Sequence, residues 1–261
     1  MHHIASTLHE ADLNIEKNSE FVDKENNKFF MRTEFSGEVD VEKLSSTLHH
    51  KLPQNSNINL TEVKRKKIAI LVTKESHAIG DLLIRYDSDE LDADISCVIG
   101  NYSILEPLVS KFDIPFIEVN AEGLSRETHE DMLIEELEKH EFDYIVLAKY
   151  MRILTPKFVE KYHHKIINIH HSFLPAFIGA NPYKQAHYRG VKIIGATSHF
   201  VTNDLDEGPI IYQDIVRVNH EYSASDMQHA GRDVEKIVLS KALKLVLEDR
   251  VFIYGNKTVI F

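Results

Sequence analysis

Two segments of the sequence carry side chains of the kind that acid–base chemistry uses. An apolar run ends in Asn168, Ile169 and His170, so that a carboxamide and an imidazole alternate along a stretch whose pattern predicts a β-strand. Further along the chain, Asp206 lies in a short acidic loop that also contains glycine. Because alternate residues of a strand point to the same side, the side chains of Asn168 and His170 are expected to enter one crevice.

These three residue types match the needs of a reaction that cleaves the C–N bond of a formamide. Such a reaction requires a donor to the oxygen that gains negative charge, a group that transfers the proton, and a carboxylate that orients this group or a water molecule. Asn168, His170 and Asp206 provide one each. Imidazole suits proton transfer because its unperturbed pKa of about 6.5 lies near neutral pH. The spacing alone leaves another interpretation open, because the chain has 16 histidines and an acidic loop commonly serves only as a turn.

The elements that must position these residues form a regular alternation of strands and helices. Short β-rich apolar runs lie at 68–72, 95–98, 115–119, 144–147, 166–169 and 195–201. Amphipathic stretches separate them, such as 125–140, where Met132, Leu133 and Leu137 are spaced to form one buried face. This alternation predicts a Rossmann-like α/β fold with a mostly parallel, doubly wound sheet and a ligand site at the carboxyl ends of its strands.

The region before residue 64 follows a different pattern. It predicts, in order, a helix marked by Ile4, Leu8 and Ala11, strands at 13–22 and 28–35, and a helix at 41–51. A polar stretch broken by Pro53 follows, and we interpret the cationic run at 64–67 as the flank of a linker. We therefore predict a small α+β domain at 1–63 and a larger α/β domain at 64–261.

Composition and charge exclude several classes of partner. The formal net charge of -11 would repel nucleic acid phosphates, so nucleic acid is not expected as a partner. The single cysteine, Cys97, cannot form an intrachain disulfide and lies in an apolar run that predicts burial. The sequence shows no signal-peptide pattern and no apolar stretch of membrane-spanning length, so we expect a cytoplasmic location without membrane contact. The histidine pairs at 163–164 and 170–171 lack accompanying cysteine or carboxylate ligands, and no metal is predicted.

The residues around the candidate site resemble those of a known family. The resemblance rests on Asn168-Ile169-His170, on Ser172-Phe173-Leu174-Pro175 and on Asp206-Glu207-Gly208, and it extends over 170–177, 179–183, 189–197 and 231–235. These motifs are similar to those of the formyltransferase-fold family and, within it, to the members that hydrolyse a formylated folate. The similarity runs from Lys67 to Phe261. The region before it resembles an ACT regulatory domain that lacks its usual first strand.

The resemblance implies a reaction and a set of site residues. The expected reaction is the hydrolysis of 10-formyltetrahydrofolate to formate and tetrahydrofolate, which would supply formate for purine synthesis and balance one-carbon pools without a separate cofactor. Carried over by position, Asn168, His170 and Asp206 would be catalytic. The folate would be held by Arg152, Leu154, Asn203, Asp204, Leu205 and Gly208. Secondary candidates are His171, Ser172, His199 and residues 228–235, while 225–226 equally fit a helix cap and no role follows for Lys149.

Two alternatives to a hydrolase remain open at this point. A transferase would need a site for an amine acceptor, and the family's glycinamide ribonucleotide enzymes cradle a phosphate in a turn rich in glycine and serine after the first strand. The corresponding stretch here, 73–80, has one late glycine and carries Glu75, which would repel a phosphate, so water is the expected acceptor. The second alternative is a sensor in which the larger domain only binds a folate.

The front region also raises expectations about assembly. A sheet that lacks one strand exposes an edge that favours pairing with another chain. We therefore predict a homo-oligomer in which front domains associate. The ACT resemblance makes a small amino acid a candidate effector.

Overall fold

The computed structural model describes residues 2–176 and 182–261. The parts of the family motifs at 177 and 179–181 lie outside the described residues. The chain divides between Lys64 and Arg65 into two compact units, beside the boundary predicted near residue 63.

The front unit contains two helices and one antiparallel hairpin. In chain order its elements are α1 (His2–Glu10), β1 (Asn14–Asp23), β2 (Lys28–Ser36) and α2 (Val41–Lys51). This is the predicted order of helix, strand, strand and helix. Leu8, Leu13, Leu44 and Leu48 form its buried core, and the Asp40 side chain caps α2 by accepting a hydrogen bond from the backbone N–H of Lys43.

The second unit is built from alternating strands and helices. Its elements are β3 (Lys66–Val72), α3 (His77–Asp87), β4 (Ala93–Gly100), α4 (Glu106–Val109), β5 (Phe116–Glu118), α5 (Arg126–Leu137), β6 (Tyr144–Leu147), α6 (Pro156–Lys161), β7 (Ile166–His170), α7 (Pro182–Arg189), β8 (Ile193–Phe200), β9 (Ile210–Arg217), α8 (Ala224–Leu247), β10 (Val251–Tyr254) and β11 (Lys257–Ile260). In the described residues the central sheet has the order β5-β4-β3-β6-β7-β8-β9.

The sheet is mostly parallel, as the sequence predicted. Strands β5, β4, β3, β6 and β7 pair in parallel, whereas β8 pairs antiparallel with both β7 and β9. Strands β10 and β11 form a separate antiparallel hairpin. The carboxyl ends of the five parallel strands therefore meet at one edge, and β7 brings His170 to that edge.

Burial on both faces explains why the strand sequences are continuously apolar. In β3, Ile68, Ile70 and Val72 belong to the core on one side of the sheet, and Ala69 and Leu71 belong to the core on the other side. Every second residue points the same way, so a strand covered on both faces needs an apolar residue at each position.

Two details of the sequence interpretation are wrong. Met132 was expected on the buried face of α5, but it is exposed, whereas Leu133 and Leu137 are buried as predicted. The buried face of α5 instead includes Ile134, because the contact stripe is displaced by part of a turn. The cationic run does not merely flank a linker, since Lys66 is buried in β3 and forms an ion pair with Asp249.

A glycine in α8 allows helix α7 to approach closely. A Cβ atom at Gly231 would lie 2.1 Å from the hydroxyl oxygen of Tyr183, which is a buried residue of α7. We expect Gly231→Ala to destabilise the protein by about 1–3 kcal/mol, because the added methyl group overpacks a filled contact. Thermal unfolding measures this as a lower midpoint.

The matched control is Gly80→Ala in α3, where the nearest atom to an added Cβ is 3.9 Å away. This variant is expected to unfold at or above the wild-type temperature, since alanine favours a helix more than glycine does. Equal midpoints for the two variants would contradict the packing argument.

Candidate active site

Strand pairing orients the carboxamide of Asn168. Asn168 in β7 lies opposite His199 in β8, and its Nδ2 donates a hydrogen bond of 3.2 Å to His199 Nε2. His199 Nδ1 lies 2.9 Å from the carbonyl oxygen of Phe200, so we place the imidazole proton on Nδ1 and leave Nε2 to accept. One N–H of the Asn168 amide is used in this way, and its second N–H stays available for a ligand oxygen.

The carboxylate of Asp206 holds the imidazole of His170. Nδ1 of His170 lies 3.1 Å from Asp206 Oδ1, and both side chains are largely buried. The opposite nitrogen, Nε2, is buried and has no hydrogen-bond partner in the described part of the chain. A catalytic role is one of the reasons for which a buried polar atom lacks a partner, and beside the Asp206 carboxylate Nε2 is the nitrogen suited to accept and return a proton.

The electrostatics of this pair keep the carboxylate ionised. Burial alone would raise the pKa of Asp206, but the hydrogen bond from His170 and the nearby imidazole of His199 outweigh it and hold the pKa well below its usual range. His199 Nε2 lies 3.8 Å from Asp206 Oδ1, so His170 is the nearer partner. An ionised Asp206 favours the proton on Nδ1 of His170 and leaves Nε2 free to act as a base.

The loop that carries Asp206 depends on two local conformations. Asp206 has a φ of +58°, a left-handed conformation that aspartate tolerates better than most residues. A Cβ atom at Gly208 would lie 1.8 Å from the carbonyl oxygen of Phe200. The loop can return this close to β8 only with glycine at that position, and the backbone N–H of Phe200 closes it by donating to Pro209 at 2.9 Å.

Two polar side chains of β8 and β9 fix the segment that follows His170. Thr197 Oγ1 donates to the carbonyl oxygen of Ser172 at 2.9 Å and accepts from the backbone N–H of Leu174 at 3.0 Å. Gln213 Nε2 donates to Leu174 O at 3.0 Å and to Thr197 Oγ1 at 2.8 Å. Ser172, a secondary candidate from the sequence, is itself buried. These contacts make the exit of the chain from β7 rigid and so fix the direction of His170.

A cavity of about 330 Å³ lies beside the catalytic candidates. His171, which stacks on His170 with ring centroids 4.9 Å apart, lines it. Its other charged or polar lining residues are Glu75, Lys149, Tyr183, Lys184, Ser225, Gln228, Arg232 and Glu235. The cavity thus joins the ends of β3, β6 and β7 to helices α7 and α8, which is the edge of the sheet where a ligand site was predicted.

Glu235 is the centre of the hydrogen-bond network behind this cavity. It is buried in α8 and accepts from Tyr183 OH at 2.7 Å, His77 Nε2 at 2.8 Å and Lys149 Nζ at 3.2 Å. Burial would raise the pKa of Glu235, but the hydrogen bond from His77 and the charge of Lys149 lower it to about 2. Lys149, for which the sequence suggested no role, therefore neutralises a buried carboxylate.

The expected folate-binding residues lie on two segments near the same edge. Arg152 and Leu154 follow β6, and this segment is tied down where Thr73 Oγ1 accepts from Met151 N at 2.9 Å. On the other segment Asn203, Asp204 and Leu205 are exposed in the loop that carries Asp206. Gly208 is buried and serves the close approach to Phe200. No described contact assigns these residues to a ligand, and their role in folate binding stays a prediction.

The structure adds residues that the sequence ranked low or missed. His199 orients Asn168, Tyr183 and His77 complete the network of Glu235, and Thr197 anchors the loop after His170. Only the pairing register of β7 with β8 could have indicated His199 in advance. Residues 225–226 lie in the first turn of α8, which Ser223 caps together with Asp226.

Metal sites and membrane-spanning helices are not found among the residues that the structure describes. Among residues 2–176 and 182–261, no group of three or more histidine, cysteine, aspartate or glutamate side chains is arranged to hold a metal ion. Within the same residues, none of the helices combines the length and the apolar character that crossing a membrane requires. Cys97 is buried as predicted, and burial raises the pKa of its thiol to about 12.

Comparisons with known proteins agree with this fold. The family described as formyl transferase matches residues 66–243, and the chain therefore belongs to the formyl transferase family. It is 54% identical over 257 residues to the formyltetrahydrofolate deformylase of Escherichia coli (strain K12), covering 98% of this chain and 92% of that protein. It is 46% identical over 265 residues to the formyltetrahydrofolate deformylase of Bacillus subtilis (strain 168), with coverage of 99% and 88%.

A solved structure extends the similarity to three dimensions. The crystal structure of a formyltetrahydrofolate deformylase from Pseudomonas syringae pv. tomato matches with a TM-score of 0.95 and 41% sequence identity, covering 99% of this chain and 88% of that chain. The predicted resemblance to formyltetrahydrofolate deformylases and the predicted α/β fold are confirmed. The small antiparallel front unit is consistent with an ACT-like domain.

The partly buried position of His171 predicts a measurable dependence of stability on pH. Burial, followed by the charges of Lys149 and His170, lowers the pKa of His171 to about 4. The pKa of a histidine in an unfolded chain is about 6.5. Between about pH 6.5 and pH 4, the histidine at position 171 is therefore protonated in the unfolded chain and neutral in the folded chain. The stability that this provides is present above about pH 6.5 and is lost as the pH falls towards 4.

We expect His171→Asn to weaken the fall of the thermal unfolding midpoint between about pH 6.5 and pH 4, relative to the wild type. His187→Asn is the control, since His187 is exposed on α7, and it should retain the wild-type pH dependence. Identical slopes for all three proteins would show that His171 does not resist protonation.

Proposed function

We propose that this chain hydrolyses 10-formyltetrahydrofolate to formate and tetrahydrofolate. One observation carries the proposal: a buried imidazole, His170, is held at Nδ1 by an ionised carboxylate while its Nε2 is unpartnered in the described structure, beside a carboxamide with a free N–H. This arrangement matches what the cleavage of a formamide requires. The identities of 54% and 46% to proteins named formyltetrahydrofolate deformylase support the substrate.

In the first step a water molecule attacks the formyl carbon. Nε2 of His170 accepts a proton from that water as the new C–O bond forms. The formyl oxygen gains negative charge, and the second N–H of Asn168 donates a hydrogen bond to it. His199 contributes indirectly because it fixes which way the Asn168 amide points.

In the second step the bond between the formyl carbon and N10 breaks. The imidazolium of His170 gives its Nε2 proton to N10, so that tetrahydrofolate and formic acid form and the imidazole is neutral again. The formic acid loses its remaining proton to solvent and leaves as formate. Asp206 stays ionised throughout because its pKa lies well below the usual range. Its negative charge stabilises the imidazolium that exists between the two steps.

The finer assignments rest on the same proposal. Arg152 and Leu154 on one segment, and Asn203, Asp204, Leu205 and Gly208 on the other, would hold the folate. No cofactor is needed, since the folate is the substrate, and the formate would supply purine synthesis from a cytoplasmic enzyme. A transferase of this family would release the formyl group only when an amine is added, whereas the hydrolase releases it in buffer alone.

Replacement of Asp206 tests the catalytic assignment. We expect Asp206→Asn to lower kcat for formate release by roughly 10²–10⁴-fold, because His170 loses both its orientation and the charge that stabilises its protonated form. Absorbance-monitored conversion of 10-formyltetrahydrofolate without any amine measures the rate. Binding of the folate, followed by calorimetry, should persist.

Asp131→Asn is the matched control, because Asp131 lies on α5 in a surface ion pair with Lys157 at 2.6 Å. It should retain the wild-type rate. Undiminished turnover in the Asp206 variant would remove the catalytic assignment, and release that depends on an added amine would favour the transferase.

We further propose that front units associate in a homo-oligomer. Apolar side chains of the β1–β2 hairpin are exposed in the single chain: Ile15 at 39%, Phe21 at 46%, Val22 at 53% and Phe29 at 48%. Phe21 lies on one face of this two-stranded sheet, and Val22 lies on the other with its cross-strand partner Phe29. Exposed apolar residues on a small sheet are typical of an interaction surface, and a second copy offers the same residues by symmetry. An amino acid bound to the front unit remains a candidate effector.

A charged residue in this hairpin tests the assembly. We expect Phe21→Glu to reduce the molar mass in solution, because a buried glutamate at the interface would be costly. Size-exclusion chromatography with light scattering measures the mass. The control is Ile84→Glu, an equally drastic change on the exposed side of α3, which should leave the mass unchanged. An unaltered mass for Phe21→Glu would contradict association through the hairpin.

A further inference from the structure

The cavity beside His171 is lined by side chains of both positive and negative charge. Three cationic side chains, Lys149, Lys184 and Arg232, line it together with two carboxylates, Glu75 and Glu235. At about 330 Å³ it is larger than a single water requires. Because the cavity lies next to the imidazole of His170, a molecule bound in it would be well placed to accept the formyl group.

The two carboxylates differ in how they are used. Glu235 is buried and bonded to Tyr183, His77 and Lys149, so it belongs to the internal structure of the wall. Lys149 is correspondingly committed to Glu235. Neither of these two charges can be removed without leaving its partner buried and unbalanced.

Glu75 is held differently. It lies between β3 and α3, and its Oε2 accepts from Arg232 Nη2 of α8 at 3.1 Å, with His77 Nδ1 at 3.5 Å. The side chains of Glu75 and Arg232 are 33% and 37% exposed, so the pair borders the cavity and still reaches solvent. The carboxylate therefore occupies an N–H donor at the edge of a guanidinium that could otherwise bind an anion from the cavity.

We propose that Glu75 is a specificity-determining residue whose carboxylate acts as a built-in counter-ion for Arg232 and excludes an anionic second substrate. The excluded class is an amine that carries a phosphate or a carboxylate group. Such a molecule would have to displace Glu75 from Arg232 and would be repelled by its charge. With the cavity closed to it, water is the acceptor of the formyl group. The inference rests on the proposed hydrolase function and explains how that function excludes formyl transfer.

The test measures the binding of inorganic phosphate rather than the reaction. Glu75→Gln keeps the shape of the side chain and removes its charge. Calorimetric titration at constant ionic strength should show phosphate binding about tenfold tighter, or more, than in the wild type, since a charge-assisted hydrogen bond to arginine becomes available. Glu75→Asp should bind phosphate as weakly as the wild type does, because the negative charge is retained.

Glu90→Gln is the matched control, since Glu90 forms a comparable pair with Arg85 Nη1 at 2.9 Å outside the cavity wall. It should not gain phosphate affinity. The double variant Glu75→Gln with Arg232→Gln should lose the gain, which would place the anion on Arg232. Phosphate affinity that is unchanged in Glu75→Gln, or that persists in the double variant, would overturn the proposal.

A parallel assay separates this inference from the function on which it rests. If wild-type protein releases no formate from 10-formyltetrahydrofolate in buffer, the hydrolase proposal fails whatever the titrations show. If formate is released but Glu75→Gln binds phosphate no better than the wild type, the hydrolase proposal stands and the assignment of Glu75 fails.

Discussion

The contact between His170 Nδ1 and the carboxylate of Asp206 is the interaction on which the rest of the site depends. An imidazole can accept and return a proton at one nitrogen only if its other nitrogen is held in one tautomer, and a buried carboxylate at 3.1 Å does this. Every other local feature serves that geometry. Strand β7 ends at His170, the segment after it is bound to Thr197 and Gln213, and the loop of Asp206 closes on Phe200 through Gly208.

A second constraint comes from the burial of charge on the far side of the imidazole pair. Glu235 could not remain ionised in the interior without Lys149, His77 and Tyr183 around it. These partners come from three different parts of the chain, so one carboxylate of α8 ties together the start of α3, the end of β6 and helix α7. The positive charge of Lys149 in turn helps to keep His171 neutral beside His170. The cavity beside the two imidazoles therefore has a fixed, charged wall.

The pattern of apolar residues predicted the architecture well, because burial imposes a direct requirement on sequence. Runs such as 68–72 and 166–169 lie in parallel strands of the central sheet, which is buried on both faces. The predicted helix at 41–51 is α2, with the same bounds. The errors occurred where the burial of a side chain depends on contacts with other parts of the fold. Met132 lies at the margin of the stripe of α5, and Lys66 is buried only because Asp249 reaches it from beyond α8. The antiparallel pairing of β8 and β9 gave no separate signal in the sequence.

The sequence by itself determined the types of the candidate catalytic groups and the elements that carry them: the alternation of Asn168 and His170 on a strand, the acidic loop around Asp206, and the family motifs that surround them. It could do so because side-chain chemistry and strand periodicity are local properties. Only the tertiary structure decided which partners these groups have, such as His199 for Asn168 and Arg232 for Glu75. Such contacts join residues far apart in the chain, and they depend on strand register and helix packing, which no single stretch of sequence encodes.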